Sequence, residues 1–304
     1  MGLMGALPAR FRRPRVLIVG CGDVGLRVAN TLNNRVRVLA FTSSPGRVAA
    51  LRAVGVVPLV GNLDHVATLK RLAGVADRVL HLAPPPAEGG QQDPRTLGLL
   101  RALALRSHPQ ALVYGSTTGV YGDCAGQWVD ETRAVNPTTA RAQRRVDAEQ
   151  HVRKWGQAFG VSTTVLRIPG IYGHNREGGA RERLQRGMPV LHADDDVYTN
   201  HIHADDLARA CILALWRGRP GCPINVTDDS DLKMGDYFDL AAELYGMPKP
   251  ARVSRAEAAK VLGPIVLSFM SESRRLSNQR MKIELGLRLR YPTVEQGLVG
   301  QASF

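Results

Sequence analysis

Short apolar, β-branched runs alternate with amphipathic stretches through the first half of the chain. Arg15-Val16-Leu17-Ile18-Val19 reads as a buried strand, and the periodicity from Val24 to Asn33 predicts a helix. Further strands are predicted at Val36 to Phe41, Val56 to Val60, Val79 to Leu82, Ala111 to Tyr114 and Thr163 to Ile168, each separated by a helical stretch. Near-continuous apolar strands joined by helices imply a parallel sheet covered on both faces, so the expected class is α/β with a doubly wound parallel sheet. Beyond about residue 170 the order loosens, with Gly178-Gly179 and several prolines, which predicts a small C-terminal lobe. No internal repeat or low-complexity linker is present.

The first strand runs into Gly20-Cys21-Gly22-Asp23-Val24-Gly25, a G-x-G-x-x-G loop that opens the first helix. Strand, loop and helix in that order are what binding a dinucleotide pyrophosphate demands. Gly20 permits the tight turn, Gly22 lets the backbone approach the phosphates, and Gly25 lets helix and strand pack closely. The pattern therefore predicts an NAD(P)-binding Rossmann domain over residues 15–170, preceded by a basic arm at 1–14. Residues 171–304 are expected to form mainly a substrate lobe, with segments returning to the first domain. An acidic residue at the end of the second strand would accept from the ribose 2′-hydroxyl of NAD. The sequence has Thr42, Ser43, Ser44 and Arg47 there and no carboxylate, which favours NADP while leaving NAD open. The hydroxyls can also cap the following helix.

Taken together, further stretches resemble the short-chain dehydrogenase/reductase superfamily, in its extended NAD(P)-dependent epimerase/dehydratase branch. Leu80-His81-Leu82-Ala83 is similar to the segment that lines the cofactor after the fourth strand. Gly115 to Asp123 is similar to the serine-rich strand end with its V-Y-G tail. Leu166-Arg167-Ile168-Pro169-Gly170-Ile171-Tyr172-Gly173 resembles the stretch beside the nicotinamide, and Asn200 to Ala208 the N-x-I-H-x-D-D-L-A segment at the small-lobe boundary. Glu284-Leu285-Gly286 and Tyr291 to Leu298 resemble the closing patterns. The resemblance implies cofactor contacts from Gly20, Gly22, Asp23, Val24, Gly25, Thr42, Ser43, Ser44, Arg47, Asn62, Leu63, Leu82, Ala83, Pro169 and Ile171. It places Thr117 where the family has the Ser or Thr that hydrogen-bonds the substrate oxygen. It also implies possible dimerisation through the two helices flanking the fifth and sixth strands.

The catalytic Tyr-x-x-x-Lys that the resemblance calls for is missing. Arg141 and Arg145 fall at its two positions, and no tyrosine occurs between Tyr121 and Tyr172. The phenol is the family's general acid/base, and arginine, with a pKa of about 12 or higher, is a poor substitute near neutrality. Asp93 is the nearest match to an upstream asparagine. Two classes of function remain. One is an epimerase/dehydratase-like oxidoreductase acting on a sugar nucleotide or other small anionic metabolite, with Thr117, Tyr121, Arg141 and Arg145 at its active site and Tyr172 or His174 as other proton sources. The alternative is a non-catalytic NADP(H)-binding redox sensor or regulatory protein.

Charge adds a preference for anions: the formal net charge of +13 arises from 34 Arg and 6 Lys against 27 acidic residues. The arginines are dispersed and no nucleic-acid-binding signature is present, so small anions rather than nucleic acid are the expected partners. Arg176, Arg181 and Arg183 are candidates to crowd the open side of the cleft. Asp194-Asp195-Asp196 reads as a turn, and no metal is expected. Cys21, Cys124, Cys211 and Cys222 form no C-x-x-C pair, consistent with reduced thiols. No apolar run approaches the roughly 20 residues that span a bilayer, and the first residues lack a signal-peptide pattern, so the expected location is the cytoplasm.

Overall fold

The computed structural model describes residues 13–33, 35–173, 176 and 178–299. The basic arm expected over residues 1–14 lies outside them except for its last two residues. Seven strands form the central sheet: β1 (Arg15–Val19), β2 (Arg37–Thr42), β3 (Val57–Val60), β4 (Arg78–His81), β5 (Ala111–Thr117), β6 (Ser162–Ile168) and β7 (Pro223–Asn225). Their order is β7-β6-β5-β4-β1-β2-β3, and every neighbouring pair is parallel. The chain builds outward from β1 in one direction and then from β4 in the other. This leaves a topological switch between β1 and β4, where a crevice opens at the carboxyl ends of the strands.

Strand alternation divides the core. Val16 and Ile18 face one side with Val28 and Leu32 of helix α1 (Asp23–Leu32), while Leu17 and Val19 face the other with Leu99 and Leu103 of α2 (Pro94–Leu103). All four β1 side chains are fully buried, because helices cover both faces. Helix α3 (Ala140–Phe159) lies on the α2 side and packs Ala148, Val152 and Trp155 into that layer. Thr139 caps its first turn by accepting from the Ala142 N–H at 3.2 Å, and Gly160, at φ +65°, ends it.

The second half of the chain contributes to both layers. Helix α4 (Ala204–Arg217) packs beside α1, and β7 extends the sheet. The small lobe has its own core, in which Val190, Leu191 and Met270 pack with Phe238 and Ala241 of helix α5 (Met234–Tyr245). A short parallel pair, Gly170–Tyr172 beside His201–His203, carries the chain between sheet and lobe. Asp206 locks the junction, accepting from the backbone N–H groups of Arg290 and Tyr291 while bound to Arg209. The Asn200 to Ala208 stretch of the sequence resemblance thus serves the joint. Among the described residues no helix is long and apolar enough to cross a membrane.

Candidate active site

The glycine loop has the geometry its three glycines imply. Gly20 adopts φ +88°, and a Cβ there would lie 2.3 Å from the Ala83 backbone nitrogen. That nitrogen and the Leu82 N–H both donate to the Val19 carbonyl, at 3.0 and 2.8 Å, so the backbone cannot retreat. A Cβ on Gly25 would come within 3.2–3.3 Å of the Gly20 oxygen, Cys21 Sγ and Ile18, which is the close helix-strand approach. Gly22, by contrast, faces open space: nothing lies within 4 Å of a Cβ built there. It is the N-cap of α1 and makes no side-chain cap bond, so the helix presents backbone donors to that space. The loop therefore fits a dinucleotide pyrophosphate.

A cavity of about 740 Å³ opens from this loop between the sheet and the small lobe. Of the residues singled out in the sequence, Gly20, Gly22, Asp23, Val24, Gly25, Leu82, Thr117, Arg141, Arg145, Pro169 and Ile171 line it. Thr42, Ser43, Ser44, Arg47, Asn62, Leu63 and Ala83 do not. Ala83 is spent on the Gly20 approach. The others lie at or beyond the ends of β2 and β3. Thr42 Oγ1 accepts from the Ser44 N–H at 3.2 Å and Asn62 Oδ1 from the Asp64 N–H at 3.0 Å, so both shape turns. Arg47 lies close enough to the loop for its charge to oppose the burial that pushes the Cys21 thiol up to about 11.

Arg141, Arg145 and Glu149 lie four residues apart on α3 and so share one face, turned toward β5. Arg145 donates through Nη1 to the Gly115 carbonyl at 2.6 Å and to the Tyr114 hydroxyl at 3.1 Å. Arg141, nearer the mouth, stacks its guanidinium 4.7 Å over the Phe269 ring. Thr117 ends β5, and its Oγ1 accepts from the Gly119 N–H at 3.3 Å, which leaves its own proton available to an oxygen in the cavity. Beneath them Glu149 is fully buried, accepting from Arg167 at 2.9 and 3.2 Å, Arg153 at 2.7 Å and Ser116 at 2.6 Å. This ionic cluster fixes α3 against β5 and β6, although Arg153 Nε and Arg167 Nη1 are buried without hydrogen-bond partners.

Tyr121 does not face the cleft as its V-Y-G segment led us to expect. It is 1% exposed, its hydroxyl donates to Asn225 Oδ1 at 2.8 Å, and Arg167 stacks over its ring. Burial pushes its pKa upward, and its short helix turns the side chain under β7. Tyr172 borders the cavity, but its hydroxyl points into the core and donates to the Thr293 carbonyl at 3.2 Å. Burial, and then the charge of Asp228, raise its pKa. His174 lies outside the described residues. Asp93 is 2% exposed and caps α2, accepting from the N–H groups of Arg95 and Thr96.

The far wall carries His201, at the variable position of the N-x-I-H stretch, and residues that no motif marked: Tyr237, Phe238, Phe269, Glu272 and Arg274. His201 stacks on Tyr237 with ring centroids 4.1 Å apart, and burial pushes it down to about 3, so it is a neutral aromatic surface. Glu272 accepts from Arg274 at 2.8 Å and from the Thr138 hydroxyl at 2.9 Å. Of the candidate arginines, Arg183 lines the cavity over Phe238, Arg176 binds Asp23 at 2.5 Å, and Arg181 turns away onto Tyr245. Asp194 and Asp195 lie in a turn, and Asp196, which follows it, accepts from the Val197 and Gly235 N–H groups. Among the described residues no cluster of His, Cys, Asp or Glu is arranged to hold a metal.

Residues 16–227 match the family model described as the NAD dependent epimerase/dehydratase family. The chain is 27% identical over 174 residues to a 3-diazoavenalumate denitrifying reductase of Streptomyces sp, covering 56% of this chain and 53% of that one. It is 27% identical over 186 residues to a GDP-6-deoxy-D-mannose reductase of Pseudomonas aeruginosa, covering 55% and 61%. These matches span little more than half the length of each relative. A solved structure of a conserved protein of unknown function from Silicibacter pomeroyi DSS superposes with a TM-score of 0.79 at 32% identity, covering 94% of this chain and 96% of that one.

Proposed function

This chain belongs to the NAD-dependent epimerase/dehydratase family, and from that premise we propose that it is a dinucleotide-dependent oxidoreductase or epimerase acting on a sugar nucleotide or other small anionic metabolite. The observation that carries the reading is that one cavity joins the open face of Gly22 to Thr117, Arg141 and Arg145. One relative is named a reductase of GDP-6-deoxy-D-mannose and another a reductase of 3-diazoavenalumate, so the family's reductive members include both a sugar nucleotide and a different type of substrate. NADP(H) is the dinucleotide this chain favours, on the strength of Arg47 and the hydroxyls after β2.

When bound, a dinucleotide would supply or accept the hydride. Within the chain, Gly20, Gly22 and the α1 amides would hold its pyrophosphate, while Leu82, Pro169 and Ile171 wall the cleft. The Thr117 hydroxyl donates to the substrate oxygen. Arg145 is anchored to β5 and fixes the α3 face, so Arg141 is held at the position where relatives place their phenol. A guanidinium there stabilises negative charge on the substrate rather than exchanging a proton.

The second reading, a sensor that binds NADP(H) without turnover, draws on the same arginine pair. The test is to incubate the protein with NADPH or NADP⁺ and panels of sugar nucleotides and small acids, following dinucleotide absorbance and product formation. Enzymatic function predicts consumption or interconversion with at least one substrate. Tight dinucleotide binding without conversion across both panels favours the sensor.

A further inference from the structure

The charges lining the cavity do not balance. Its carboxylates are already engaged: Asp23 binds Arg27 at 2.9 Å and Arg176 at 2.5 Å, and Glu272 binds Arg274 and Thr138. Among the described residues Arg141, Arg145 and Arg183 have no carboxylate within ion-pair distance. Arg145 is satisfied by the Gly115 carbonyl and the Tyr114 hydroxyl, whereas Arg141 lies over the Phe269 ring and feels the charge of Glu272 without a hydrogen bond or ion pair to it. Arg183 lies in the opposite wall with the Phe238 ring 4.3 Å away, and its Nε and Nη2 are buried without hydrogen-bond partners. Arginines that line a cavity with no carboxylate paired to them leave positive charge there that an anionic ligand would match on binding.

We propose that the cavity takes a small acid with anionic groups at both ends. A carboxylate adjoining the reacting carbon is held by Arg141, and a second acidic group is held by Arg183. The substrate class is then a 2-hydroxy or 2-oxo acid carrying a further acidic group, and this rests on the cavity being the substrate site of a dinucleotide-dependent enzyme. Thr117 and the glycine loop mark the reacting end, and Arg141 lines the same cavity. Its guanidinium carbon lies 4.7 Å from the Phe269 ring centroid and its N–H groups make no hydrogen bond among the described residues, so they are available for the two-point pairing that a planar carboxylate matches. A sugar hydroxyl at that position would leave this guanidinium unpaired.

Binding of 2-hydroxyglutarate, 2-hydroxybutyrate, 2-hydroxybutyramide, glycerol 3-phosphate and UDP-glucose is measured by calorimetry on the full chain, with and without NADP⁺. The expected order places 2-hydroxyglutarate above 2-hydroxybutyrate and 2-hydroxybutyrate above its amide, each by about tenfold or more. Arg183→Gln should abolish the first difference and Arg141→Gln the second, with circular dichroism melting confirming that both variants fold. Equal binding of acid and amide, or an acid preference that survives Arg141→Gln, overturns the proposal. A glycerol 3-phosphate preference lost in Arg141→Gln also overturns it, in favour of a phosphate site. UDP-glucose binding without any of the acids removes this inference and leaves the oxidoreductase reading standing. Acid binding in a protein that takes up neither NADP⁺ nor NAD⁺ keeps the anion site and removes that reading.

Discussion

Arg145 Nη1 lies 2.6 Å from the carbonyl oxygen of Gly115, two residues before Thr117 on the same strand. Helix α3 is thereby fastened to the end of β5 at one of the two arginines that the sequence resemblance sets against a Tyr-x-x-x-Lys pattern. Arg145 is held by the strand, whereas Arg141 makes no hydrogen bond among the described residues.

Replacing the pair tests that division. Arg141→Tyr with Arg145→Lys is expected to leave NADPH affinity within about twofold, because the pyrophosphate cradle and Arg47 are untouched, while weakening any anionic cavity ligand by about tenfold or more. Calorimetry on the double variant measures both. A large loss of NADPH binding with unchanged ligand affinity would assign the arginines to the cofactor.

Two glycines of the same loop should respond in opposite ways. Gly22→Val has room for its side chain and is expected to melt close to the wild type, yet to lose dinucleotide binding because the side chain fills the space the phosphates need. Gly20→Ala should instead lose roughly 2–4 kcal/mol of stability, since its Cβ meets the Ala83 backbone and its φ is positive. Denaturant unfolding and NADPH titration of the two variants separate the effects.

Cofactor choice follows from the end of β2. NADPH is expected to bind more tightly than NADH, and Arg47→Ala to remove about 1–3 kcal/mol of that preference. Equal affinities for the two dinucleotides in the unmutated protein would refute the assignment.

His201 provides a pH signature. Burial lowers its pKa to about 3 in the folded chain, against about 6.5 when unfolded. Its contribution to stability is therefore fully present above pH 6.5 and is lost as the pH falls toward 3, by up to about 1.4 kcal/mol per pH unit. His201→Phe keeps a ring against Tyr237 and removes the titration. Between pH 6.5 and 4.5 the variant should lose about 2 kcal/mol less stability than the wild type in urea unfolding. His81, also held at about 3, remains in both proteins and cancels in the difference.

Local information sufficed for the first six strands and the glycine loop. Each of those strands follows a largely apolar or β-branched run, and their bounds fall within a few residues of the pattern read along the chain. Gly20, Gly22 and Gly25 were likewise legible, because the steric demands on each arise from the strand, turn and helix next to it. Pro223–Asn225 is too short for any periodicity to mark, and it is a strand only because β6 offers an edge to pair with. Tyr121 belongs to a recognisable segment, yet the direction of its side chain is set by Asn225, 104 residues away, and by Arg167. Glu272, Arg274 and Phe269 carry no local signal, and they reach the cavity because the small lobe folds back over β5. The sequence thus determined the cradle, whose chemistry is that of the backbone and its neighbours. Only the tertiary structure decided which charges in the cavity are neutralised, because pairing depends on which distant side chains the fold brings within a few ångströms.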